Sequence, residues 1–276
     1  MTQLYLLGSS LPNTKKSPKI TYSFQRKGII AMPKRIYRFA LTLLFIGLFW
    51  HITAVWWKQT FYPPPLAVFS SFSSLVLTGV LPLHFLVSTR HYLLSLTISF
   101  ALAVPCGFFL ARTPWLDSIV SPLLYILHPL PKIVFLPLIV VGLGLGLLPK
   151  ILLIFLVTFF QLLISARDAA RGIPQEWVLT FRSFHATRWQ TYLHLVWPAS
   201  LPKLLTALRI SIGSSIAVLF FAETFASDQG LGYLILTSME KQEIPAMYAG
   251  ILGMALLGVS SNTIVDLVER YYCHWD

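Results

Sequence analysis

Residues 176–203 read EWVLTFRSFHATRWQTYLHLVWPASLPK. This stretch carries Arg182, Arg188, two histidines and two prolines, and the chain on both sides of it is almost continuously apolar. Its internal spacing predicts two short helices. Pro174 suits a first helical position, where its missing N–H costs nothing. Trp177, Phe181 and Phe184 then fall at i, i+4 and i+7 on one face. A turn follows at His185-Ala186, and Thr187 with Gln190 forms a capping box that restarts a helix. Trp189, Tyr192, Leu193 and Val196 share a face of that second helix, and Pro198 and Pro202 are expected to end it. A polar hairpin of this kind between apolar blocks has to sit outside a bilayer, which makes the blocks the question.

Of the 276 residues, 56% are hydrophobic and only 11% charged, against about a quarter charged in an average soluble domain. The apolar residues come in blocks near 19 residues, close to the ~20 that cross a hydrocarbon core as a helix. Six blocks are expected to span: 39–57, 88–111, 116–142 (interrupted by HPLPK at 128–132), 150–165, 203–225 and 246–268. The fold class predicted is an all-α membrane protein of about six transmembrane helices with a cytoplasmic helix-turn-helix. The expected organisation is a basic cytoplasmic tail (1–38), the first span (39–57) and a periplasmic segment with a surface helix (58–87). A transmembrane core (88–270, with the polar loop at 168–202) and a short cytoplasmic end (271–276) follow. Six spans are fewer than the paired halves of a large secondary transporter, so a homodimer is expected.

The net charge of +11 does not point to nucleic acid, because of where it lies. Eight of the 21 basic residues precede the first apolar block. With the N-terminus inside, Arg112, Arg167, Arg171, Arg182, Arg188, Lys203 and Arg270 join them on the inner side. Only Lys58, Arg90, Lys150 and Lys241 fall outside. Both termini and the polar loop are thereby placed in the cytoplasm. The run after Lys34 is long for a signal peptide and lacks a small-residue cleavage site, so an uncleaved first span is expected, with Met32 an alternative start to Met1. Cys106 and Cys273 suit neither a disulfide framework nor a metal site, and no metal or cofactor is expected.

Charges within spans are costly unless they face protein or water. Lys132 follows Pro129 and Pro131 in HPLPK; it either offers a positive site in a translocation path or snorkels to water. Glu223 in FFAETF either gates such a path or is hydrogen-bonded to the loop SDQGLGY that follows it. Arg209 is expected to reach the inner surface, and Asp266 and Glu269 to form a solvated cluster there. No GxxxxGK[ST] phosphate loop and no HExxH pair occurs, so neither ATP hydrolysis nor intramembrane proteolysis is expected of this chain. An ion-coupled transporter would want more acidic groups in its spans than these. The polar hairpin itself fits two roles: aromatics and arginines seated among acidic lipid headgroups, or a docking knob for a protein partner.

The same residues carry a family resemblance. Residues 176–202 resemble the cytoplasmic "EAA" loop of ABC-importer permeases, an acidic residue and helix, a glycine turn and a second helix ending in an LP…LP pattern. YPPPLAVFSSF (62–72), HPLPKIVFLPLIV (128–140), AETFASDQGLGYLI (222–235) and DLVERYYCHW (266–275) resemble further stretches of that family in unbroken order. The branch that looks nearest serves aliphatic sulfonates, taurine and nitrate. The resemblance implies a bacterial inner-membrane permease with a cytosolic ABC ATPase and a periplasmic substrate-binding protein as partners. Its cargo would be a small anionic solute by that branch, or by others a thiamine-precursor pyrimidine or similar molecule. It implies that Glu176, Trp177, Phe181, Arg182, Phe184, His185 and Arg188 form the ATPase-coupling element. Two departures stand out: His185 occupies the family's turn glycine, and Leu147 replaces an acidic residue common after the Gly-rich turn.

Overall fold

The computed structural model describes residues 32–57 and 61–273. The basic tail 1–31, Lys58 and the final residues 274–276 lie outside them, as does the choice between Met1 and Met32. All regular structure among the described residues is helical. The chain divides into two compact units, Met1–Phe49 and Trp50–Asp276, with the boundary inside helix α1 (Met32–Trp57). On the first unit's part of α1, Leu44, Phe45 and Leu48 are exposed, as expected of a helix solvated by lipid tails.

In the second unit, α2 (Pro65–Leu77) and α3 (Val80–Arg112) precede a broken pair, α4 (Pro114–Leu127) and α5 (Leu136–Leu143). Then come α6 (Leu147–Arg171), α7 (Gln175–Ser183), α8 (Arg188–Thr191), α9 (Trp197–Ala226), α10 (Leu231–Glu240) and α11 (Ile244–Tyr272). Four helical stretches are long and apolar enough to cross a membrane, and the α4–α5 pair, bent by 83°, makes a fifth if counted as one span. The break falls at the expected HPLPK: Pro129 and Pro131 lack N–H groups, and a 3-10 turn at Lys132–Phe135 rejoins the chain to α5. The first expected span, 39–57, falls on α1, whose described apolar stretch, Leu44–Trp56, is shorter than the four that are long enough to cross. The second span begins earlier than its apolar block suggested: α3 is 33 residues long, about 50 Å.

α3, α6 and α9 pack at the centre of this unit. Tyr92, Leu153, Ile154, Leu205, Ile212 and Leu219 form its main apolar cluster. Gly107 lets α3 and α6 approach closely, since a Cβ there would stand 2.6 Å from the Leu163 carbonyl oxygen. Three small hydroxyls in this core are satisfied by carbonyls one turn back: Ser95 donates to His91 (2.7 Å), Ser99 to Ser95 (2.7 Å) and Thr158 to Ile154 (2.9 Å). They therefore sit buried at membrane depth without an unmade hydrogen bond. The outer face of α3 carries exposed Leu86, Leu102 and Phe109, and Ile119 of α4 is exposed as well. α2 lies where a surface helix was expected, with Val68 fully buried and Phe72 and Leu75 packed on the cluster around Leu81 and Leu231.

Candidate functional site

The polar hairpin is built as its spacing predicts, with two amendments. Pro174 is the N-cap of α7 (φ −56°, ψ 135°) rather than its first helical residue, because an extended backbone there carries the chain off the end of α6. Glu176 sits in the first turn, where a carboxylate favours the helix dipole. The turn closes as a Schellman motif. His185 N–H donates to the Arg182 carbonyl (2.9 Å) and Ala186 N–H to the Phe181 carbonyl (3.1 Å). His185 has φ +54°, the left-handed conformation that glycine adopts freely and histidine only at a cost of about 1–2 kcal/mol. The departure from glycine noted in the sequence is thus a strained position. His185→Gly is expected to raise stability by about 1 kcal/mol in denaturant unfolding of the purified chain.

The capping box is formed in full: Gln190 N–H donates to Thr187 Oγ1 (3.2 Å) and Thr187 N–H to Gln190 Oε1 (2.8 Å). The second amendment concerns the prolines. Pro198 and Pro202 were expected to stop the second helix, yet Arg188–Phe225 runs on as one 38-residue span. A π-turn at Tyr192–Val196 absorbs the break, with Trp197 N–H bonding back to the Tyr192 carbonyl, so the missing N–H groups fall in a rewound register. Tyr192 packs edge-on to Phe108 at 5.4 Å, and Trp197 does so at 6.4 Å. One leg of the hairpin is therefore the end of α9 itself, cemented to α3. The other leg, α7, has no buried residue, and Trp177 (52%) and Phe184 (80%) stand exposed, as does Trp189 at the head of α8 (68%).

An ionic cluster that the sequence did not reveal ties the head of α4 to the end of α6. Asp117, in the first turn of α4, is buried against Arg167 of α6, whose Nε lies 2.5 Å from Oδ1. Arg171, one turn further on, pairs with the other oxygen. The Arg167 guanidinium also lies 5.9 Å from the Tyr125 ring centre. Arg167 and Arg171 had been counted only as inner-loop charges; their i, i+4 spacing at a helix end was the available signal.

At the far end of α9, about 39 Å from Trp197 by helix rise, Glu223 is fully buried. The Ser88 hydroxyl lies 2.7 Å from Oε2 and 2.9 Å from Oε1, His91 Nδ1 is 2.9 Å from Oε1, and Gly232 N–H donates to Oε2 (3.0 Å). Ser88 accepts from Leu231 N–H (2.7 Å), and His84 Nδ1 accepts from Gly230 N–H (3.0 Å). The carboxylate thus ties the N-terminus of α10 to α3. Lys150, expected as an outer-loop charge, is instead buried in the first turn of α6 and donates to Ser227 (2.8 Å), because the loop after α9 folds over it. Lys132 has different partners: it donates to the His128 carbonyl at the end of α4 and lies 5.4 Å from the Phe160 ring centre. Lys132 and Glu223 are thus held in separate networks. Arg209 pairs with Asp266 (2.7 Å) and Glu269, so these acids are ion-paired rather than merely solvated.

The described residues thus form a helical body with one broken apolar pair and an exposed hairpin continuous with the central helix α9. Residues 103–272 match the family "Binding-protein-dependent transport system inner membrane component", and the chain belongs to that family; it is the permease subunit of an ABC importer. It is 27% identical to the taurine transport system permease protein TauC of Escherichia coli (strain K12), over 84% of this chain and 89% of that one. It is 27% identical to the putative aliphatic sulfonates transport permease protein SsuC of Bacillus subtilis (strain 168), over 79% of each. The riboflavin transport system permease protein RibX of Chloroflexus aurantiacus is 28% identical over 97% and 98%. The fold is shared with an inward-facing MetNI methionine ABC transporter structure at TM-score 0.58 and 19% identity, covering 68% of this chain and 94% of that one.

Proposed function

We propose that this permease moves a small sulfonate-type anion, in the manner of taurine, driven by a cytosolic ABC ATPase seated on the α7–α8 hairpin. The observation that carries the reading is the pairing of exposed aromatics with mechanical continuity. Trp177, Phe184 and Trp189 are unburied anchors of the kind that dominate docking sites, and the helix they cap is the central span α9. Glu176, Trp177, Phe181, Phe184 and His185 present the docking face, with Arg182 and Arg188 at its margin. A push on this face tilts α9 as a rigid rod and reaches the Glu223 latch at its other end, which is the gate of the path in this scheme. Lys132 stiffens the broken span.

The hairpin faces the cytoplasm in an inner membrane, and a periplasmic binding protein delivers cargo at the latch end. Two copies of the chain enclose the path. An open apolar groove of about 440 Å³ between α9 and α11, lined by Ile212, Gly213, Met254 and Gly258 among others, suits that pairing, because glycine lets helices approach. The likeness to taurine and sulfonate permeases supports the anionic cargo; the equally extensive likeness to RibX favours, as a second reading, a larger aromatic solute.

Reconstitution with the partner ATPase and binding protein discriminates the two: labelled taurine uptake supports the first, and riboflavin uptake without taurine uptake the second. In that system Trp177→Ala with Phe184→Ala is expected to cut uptake at least tenfold and weaken ATPase co-purification, while membrane yield is unchanged. Undiminished uptake would sink the docking role.

A further inference from the structure

The inner side of the hairpin carries a feature the docking face does not use. Between the end of α3, the start of α4, the end of α6 and the hairpin lies a cleft of about 850 Å³. Three arginines line it from three elements: Arg112 ends α3, Arg182 lies on α7 and Arg188 opens α8. Its walls are apolar, with Ala111, Ile173, Val178 and Val196 among them, and no carboxylate lines it.

Charge balance sets these arginines apart. At the same end of the bundle Arg167, Arg171 and Arg209 are each ion-paired to Asp or Glu. Arg112, Arg182 and Arg188 make no ion pair among the described residues. The helical wheel separates them from the docking face too. Gln175, Val178 and Arg182 line the cleft at i, i+3 and i+7, whereas Trp177, Phe181 and Phe184 occupy another face of α7. Three guanidinium groups around a partly apolar cleft, at the end of the bundle where α3 and α6 terminate, match an anion that carries apolar chains.

We propose that this cleft seats the phosphate headgroup of an acidic phospholipid from the adjoining leaflet, wedged between the hairpin and the body of the permease. Guanidinium binds phosphate oxygens through paired, charge-assisted hydrogen bonds, and the apolar walls take the glycerol and first methylenes. A seated headgroup offsets part of the cluster's charge and braces the otherwise unburied α7. The site goes beyond ATPase docking, and its test needs the permease chain alone, so its failure is distinguishable from failure of the docking scheme.

The test is native mass spectrometry of the full chain in detergent, titrated separately with phosphatidylglycerol, phosphatidylcholine and inorganic phosphate. Wild type is expected to hold phosphatidylglycerol in excess of phosphatidylcholine. Arg112→Gln and Arg188→Gln are each expected to lower that excess about fivefold, the effect of one basic residue at an anionic surface. Arg270→Gln, an equal charge loss at the same end but outside the cleft, is expected to keep it. Equal retention of the two lipids by wild type overturns the proposal, as does an equal loss in all three variants. Inorganic phosphate binding at matching occupancy, abolished by the same cleft variants, overturns the lipid source in favour of a soluble anion.

Discussion

Asp117→Ala is expected to lower the stability of the purified permease by about 3–5 kcal/mol, the cost of leaving a buried charge without its partner. Arg167 has only 6% of its side chain exposed, so it cannot turn to solvent when the carboxylate is removed; Arg171, at 40%, can. Arg171→Ala is accordingly expected to cost no more than about 1 kcal/mol. The paired replacement Asp117→Leu with Arg167→Met removes both charges and is expected to be milder than Asp117→Leu alone or Arg167→Met alone, since an apolar pair of similar volume needs no desolvation. Denaturant unfolding in detergent across this double-mutant cycle measures the coupling. Additive single and double costs would show that Asp117 and Arg167 are not coupled. Only the turn Gly172-Ile173-Pro174 separates Arg171 from α7, so a loosened base should also reduce cargo moved per ATP hydrolysed.

Gly230→Ala is expected to be comparably damaging, at roughly 3–5 kcal/mol, and to abolish uptake. Its φ of +117° with ψ of 164° lies in a region open almost solely to glycine. A Cβ there would also stand 2.4 Å from the Glu223 carboxyl carbon. Glu223 cannot yield without breaking its bonds to Ser88 and Gly232 N–H, groups that have no water to turn to. The steric part can be isolated in a Glu223→Ala background, where the blocking atoms are gone and only the backbone strain remains. Gly230→Ala should therefore cost less there than in wild type. An equal cost in both backgrounds would assign the whole effect to the backbone and remove the contact from the account.

The bond from Glu223 to its following loop was read from the sequence and is formed by Gly232 N–H, but the long-range partners at these two sites lay beyond sequence reading for a shared reason. Glu223 stood out because a carboxylate within an apolar span needs an explanation, but its partner Ser88 is 135 residues away and indistinguishable in sequence from other serines of α3. Asp117 passed unnoticed at the head of α4, and its 50-residue separation from Arg167 hid the pair. Lys150 misled in the opposite direction. A lysine beside a Gly-rich loop reads as an exposed topology signal, and only the fold shows Ser227 arriving over it.

Local order was legible where local physics sets it. The apolar blocks marked the spanning helices, because a backbone in hydrocarbon must satisfy its own hydrogen bonds. The prolines of HPLPK marked the 83° break, and Thr187-Gln190 marked a cap whose atoms are three residues apart. His185 was readable as a left-handed turn residue for the same reason. The prolines at 198 and 202 were read as a stop and proved to be passed through a π-turn, since packing of Tyr192 and Trp197 on Phe108 holds the helix together across the lost bonds. The sequence by itself determined which apolar segments become long helices, where one of them breaks and where the hairpin turns, all matters of period and capping within a few residues. The tertiary structure alone decided which buried charges meet and that the hairpin and α9 are one rod, because those depend on helices distant in sequence being brought into contact.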